Sequence, residues 1–208
     1  MLSTSALPGC GGDNNGTSPA SLTGELLPAS EVPGFKVERE FEWDNPIDFV
    51  VEGFHLPEAT PPSDAVEAFE NAGFDAAAGE ILVVAKGEPF QGPRAAVDVV
   101  QLGSDDQARE ALDYVRSEAL KQPCFAVCSV EGREFPVAGI PGAEGVQLTP
   151  LPDPPPGAGP PFESFSVGFT DGSRLYLVSA DGGPGQVKKG EVLSAAEALY
   201  DRATSDAG

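Results

Sequence analysis

The stretch AAVDVVQLGSDDQAREALDYVRSEALKQP, residues 95–123, holds a strand and a helix in direct succession. Ala95 to Leu102 is rich in branched residues, the composition of a β-strand. The pattern then changes period. Ser104 offers a capping hydroxyl, Gln107 stands three positions on as its capping-box partner, and Asp105 and Asp106 lie at the positive end of the helix dipole. Ala108, Ala111, Leu112, Val115 and Ala119 recur at helical spacing. Lys121 falls in the last turn and Pro123 stops the helix, so both ends are specified locally.

Further toward the C-terminus, Phe165-Ser166-Val167-Gly168-Phe169 alternates as a strand, and Asp171-Gly172 turns the chain into Leu175-Tyr176-Leu177-Val178. A closing helix is expected from the Ser194 and Glu197 pair, burying Ala196, Leu199, Tyr200 and Ala203. On the other side, Glu80 to Lys86 reads as a strand, and Asp64 to Ala72 as a short helix capped by Ser63 and ended at Gly73. Val37 to Trp43 alternates too. Strict period two puts Val37, Arg39, Phe41 and Trp43 on one face and Glu38, Glu40 and Glu42 on a solvated, acidic one. This order of elements predicts an α+β fold, an antiparallel sheet with two or three helices packed against it, in one domain over residues 31–204. Residues 150–161, with seven prolines and two glycines, form an exposed loop inside that domain, and 205–208 a disordered tail.

Composition restricts function more than it assigns one. The 208 residues carry 33 acidic against 12 basic side chains, a formal net charge of −21. Such a field repels phosphate backbones, so nucleic acid is excluded as a partner. No run approaches the roughly 18 apolar residues of a spanning helix. His55 is the lone histidine, which leaves His-rich metal sites and His-assisted nucleophiles without material. No catalytic residue, metal site or cofactor is expected.

The leader supplies the one addressed chemistry. Leu7-Pro8-Gly9-Cys10 resembles the L-x-G-C lipobox of bacterial and archaeal lipoproteins. The resemblance implies that residues 1–9 are the remnant of a signal peptide, that Cys10 is the lipidated residue, and that the membrane is a partner through that anchor. Residues 10–30, with Gly11, Gly12, Asp13, Asn14, Asn15, Gly16, Thr17 and Ser18 after the cysteine, are read as too polar to pack and are expected as a flexible tether. The expected location is the extracytoplasmic face of a cell membrane or envelope. The succession of a strand, a long capped helix, a strand meander and a closing helix also resembles the PsbP-like envelope lipoproteins in architecture.

Cys124 and Cys128 remain as an even pair. Four extended residues span about 13 Å, beyond the roughly 7 Å limit between bridged Cα atoms, so a disulfide needs a turn there. Two buried thiols on a strand are the alternative. For function, two readings stand: a lipid-anchored extracytoplasmic binding or interaction domain without catalytic activity, its ligand unknown, or an acidic secreted hydrolase using carboxylates alone. The binding surfaces expected for the first are the open face of the sheet and the loop at 150–161. Two desolvated carboxylates converging in one pocket would favour the second.

Overall fold

The computed structural model describes residues 22–28, 31–32, 35–53, 63–84, 92–121, 130–157 and 160–205. Seven strands, β1 (Phe35–Trp43), β2 (Ala76–Val84), β3 (Arg94–Gln101), β4 (Val130–Pro136), β5 (Glu144–Pro150), β6 (Glu163–Asp171) and β7 (Arg174–Gly182), form one sheet in the order β1-β2-β3-β7-β6-β5-β4. Every neighbouring pair is antiparallel. Among the described residues it is accompanied by helices α1 (Pro46–Asp48), which runs on into a π-helical turn over Phe49–Gly53, α2 (Ser63–Asn71), α3 (Asp105–Lys121) and α4 (Lys189–Ser205). The fold is the expected α+β arrangement.

Where local chemistry dominates, the elements end where the sequence says. Ser104 Oγ accepts from the Gln107 amide at 3.3 Å at the head of α3. The Gln107 side chain does not return to Ser104 N; its Nε2 donates to Asn71 O at 2.9 Å and so caps the neighbouring α2. Gly73, at φ +68°, ends α2, and Gly172, at φ +55°, turns β6 into β7.

Four differences have physical causes. Strand β2 begins at Ala76, four residues before the expected Glu80, because Ala76, Ala77 and Ala78 are fully buried and leave room for side chains of neighbouring strands. Helix α4 begins at Lys189 rather than Ser194: Val187 and Val192 bury in the core, and Lys188 O accepts from Glu191 N. A bulge between Val37 and Arg39 breaks the alternation of β1, so Val37 faces one side with Leu82, while Arg39, Phe41 and Trp43 face the other. The tether expected over residues 10–30 does not extend over residues 22–28, where Leu22, Leu26 and Leu27 are 0, 5 and 1 % exposed; residues 10–21 lie outside the described residues.

The sheet has a core on each face. On the α4 face, Ala78, Leu82, Val97, Val99, Phe169, Tyr176 and Val178 pack with Ala195, Ala196 and Leu199 of α4 and with the three leucines of residues 22–28. On the α3 face, Trp43, Phe49, Phe69, Val100 and Leu175 pack with Ala108, Ala111 and Leu112. Arg116 ties α3 to the far edge of the sheet, its guanidinium lying 3.4 Å from Glu134 of β4 and 3.1 Å from Glu144 of β5.

Candidate functional site

Two acids in the middle of the sheet are set apart from the many solvated ones. Glu80 occupies the row Ala78–Glu80–Leu82 of β2, opposite Glu40 of β1 and Val97 of β3. It is 3 % exposed, and its Oε1 is buried without a hydrogen-bond partner. Burial, followed by the Glu40 charge, lifts its pKa from 4.5 to about 7. Asp98 of β3 pairs with Gly79 and with Leu177 of β7, and is half-buried. Burial, followed by the Glu80 charge, lifts it from 3.8 to about 8.

The register decides what this pair can do. Asp98 stands opposite Gly79, one position from Glu80, and successive side chains leave a strand on opposite sides. Glu80 therefore points into the α4 face and Asp98 into the α3 face. They cannot converge on one substrate bond as an acid and a base, which is the arrangement a carboxylate-only hydrolase requires. Their influence on one another passes through the sheet.

Around Asp98 the sheet is partly uncovered. A Cβ on Gly79 would overlap both Asp98 Oδ1 and the Trp43 ring, so the missing side chain is what admits the carboxyl beneath the indole. Phe41 stacks on Trp43 at 5.1 Å, Trp43 meets Phe49 edge-on at 5.3 Å, and Trp43 Nε1 donates to Glu52 at 2.8 Å. The Arg39 guanidinium lies 5.4 Å from the Phe41 ring centre. Away from these rings, Ile81, Leu177, Ser166 and Ser179 share the face and are half-exposed. The strip thus offers a carboxyl that is protonated at neutral pH and can donate, an arginine at its edge, two hydroxyls and an apolar floor. These groups can hold a ligand by hydrogen bonds and contact; they include no activated nucleophile.

This strip is the structural counterpart of the open sheet face. The proline-rich stretch leaves the end of the sheet marked by Pro150 and Glu163, and residues 152–157 are exposed. Cys10, His55, Cys124 and Cys128 lie outside the described residues. The expected acidic row keeps Glu40 and Glu42 together on the α4 side of β1, with Glu38 at the bulge; all three are exposed. Sequence reasoning did not single out Glu80 or Asp98, although a lone acid within EILVV and another within AAVDVVQL was a usable signal. Among the described residues, no three His, Cys, Asp or Glu gather as a metal site, and no helix is long and apolar enough to cross a membrane.

No family model matches the chain. No curated protein matches it in sequence. Among solved structures, the chain is similar to the extracellular domain of PknH from Mycobacterium tuberculosis, with a TM-score of 0.57 and 16% sequence identity, over 91% of this chain and 97% of that one. At that identity the likeness is one of fold: an α+β domain of matching extent.

Proposed function

We propose that this chain is a lipid-anchored, extracytoplasmic binding domain that carries out no covalent chemistry, with Cys10 as the anchored residue and the strip around Asp98 as its ligand surface. One observation carries the non-catalytic part: the two desolvated acids lie on opposite faces of the sheet. The strip itself favours a ligand with an apolar body and a group that accepts a hydrogen bond from a protonated carboxyl. The extracellular origin of the similar PknH domain supports the location.

The geometry of the N-terminal segment fits an anchor. Residues 22–28 meet the sheet beside Arg174, which opens β7, whereas the proline-rich loop leaves the opposite end. Twelve residue steps separate Cys10 from Leu22, a reach of roughly 40 Å when fully extended. The domain is then held close to the bilayer with that loop turned away from it. Fractionation of cells expressing the chain behind its natural upstream sequence tests the anchor. The wild type is expected in the membrane fraction with a diacylated Cys10, and Cys10→Ser in the soluble fraction with its fold intact. An unmodified Cys10 behind an intact Met1 in native protein would sink the reading.

A further inference from the structure

We propose that residues 22–28 form a strap whose docking on the α4 face is controlled by the protonation of Glu80, so that the strap tightens as this buried acid takes up a proton and loosens as it ionises. The proposal does not depend on lipidation or on a ligand.

The strap is a helical turn, with Glu25 N bonded to Leu22 O at 2.9 Å. Leu22, Leu26 and Leu27 bury in the same cluster as Ala78 and Leu82, the residues that flank Glu80 on its own face of β2. Polar clamps hold its outer side. Glu25 accepts from Tyr176 Oη at 2.9 Å and pairs with Arg174 at 2.9 Å; Thr23 Oγ1 donates to Glu42 at 3.0 Å; Arg202 of α4 donates to Gly24 O at 2.8 Å. Glu80, buried between Ala78 and Leu82, shares the sheet face on which the strap packs, and one of its oxygens is left unsatisfied. An ionised carboxylate in that position is costly, and letting water reach it removes the cost.

The charges on this face offer little relief. Glu40 and Glu42 of β1 are acidic neighbours, Glu25 of the strap is committed to Arg174 and Tyr176, and the Arg202 guanidinium is committed to Gly24 O. At the far end of α4, Lys188 is paired with Glu191. Tyr176, pushed well above its usual range by burial and the Glu25 charge, keeps its proton throughout. Glu80 is therefore the titrating group whose charge state changes under the strap near neutrality. With a docked pKa of about 7 and an ordinary 4.5 on release, opening should rise about thirtyfold between pH 5.5 and 8.5.

Amide hydrogen exchange of the full chain by mass spectrometry, corrected for intrinsic rates at the two pH values, is the test. Expected in the wild type is a roughly thirtyfold loss of protection over residues 22–28 at pH 8.5 relative to the β6–β7 hairpin, and in Glu80→Gln a strap equally protected at both pH values. If Glu80→Gln does not fold, Glu80→Met carries the same test with an uncharged side chain of similar length. Strap and hairpin losing protection in step in the wild type, or pH dependence surviving the substitution, would overturn the proposal. pH dependence abolished by Glu25→Gln but not by Glu80→Gln would move the switch to the clamp and overturn it equally.

Discussion

Replacing Asp98 with asparagine should make the protein more stable at alkaline pH and leave it nearly unchanged in acid. With a folded pKa of about 8 against an ordinary 3.8, the native state holds a proton at Asp98 that the unfolded chain has released, throughout the interval between those values. Stability therefore falls as pH rises across that interval, by about 1.4 kcal/mol per pH unit while the difference is a full proton. Four units give a ceiling near 6 kcal/mol. Partial exposure and solvent screening reduce this, and about 2–3 kcal/mol is a reasonable working figure. Asparagine keeps the shape and cannot ionise. Thermal melts at pH 5 and pH 8.5 and equal ionic strength should show the two proteins within about 1 kcal/mol in acid. At pH 8.5 the variant should melt higher by roughly 5–10 °C, taking 2–4 °C per kcal/mol for a domain of this size. Curves that shift in parallel with pH would refute the claim that Asp98 is desolvated on the α3 face.

Two further outcomes follow from the same geometry and charge. Gly79→Ala, a change that usually stabilises a strand slightly, should cost about 1–3 kcal/mol in urea unfolding, because its Cβ overlaps Asp98 and Trp43; a neutral or stabilising result would contradict the packing. A formal charge of −21 should make stability rise with salt toward 1 M, where the Debye length falls to about 3 Å, and melts that do not move upward would show that self-repulsion is unimportant.

The parts of the fold legible in the sequence are those whose ends are written locally. Helix α3 has a capping serine before it and a proline beyond it, and the β6–β7 turn has Asp171-Gly172. What escaped depends on partners distant in the chain. Ala76-Ala77-Ala78-Gly79 has no β-propensity to speak of, and becomes strand because small residues fit beneath Trp43 and between two neighbouring strands. Strands β4 and β5 carry glycines, charges and terminal prolines, and are fixed by pairing with each other and by α3. The bulge after Val37 is one residue wide, yet it reverses which face half of β1 presents. For the candidate site the limit is sharper: each acid can be found within an apolar run, but their opposed directions exist only in the register between two strands separated by a loop.

Setting Glu80 and Asp98 back to back across a single layer makes the two sides of the sheet thermodynamically reciprocal. The Glu80 charge raises the proton affinity of Asp98, so the Asp98 charge must raise that of Glu80 by the same free energy. A bare carboxylate at Asp98 would make Glu80 retain its proton and so favour the docked strap on the far side. A ligand that accepts a hydrogen bond from protonated Asp98 would relieve Glu80 and favour release. Which molecule occupies one face could thus be reported on the other, at the end of the domain where the chain leads back toward Cys10, without any strand having to move.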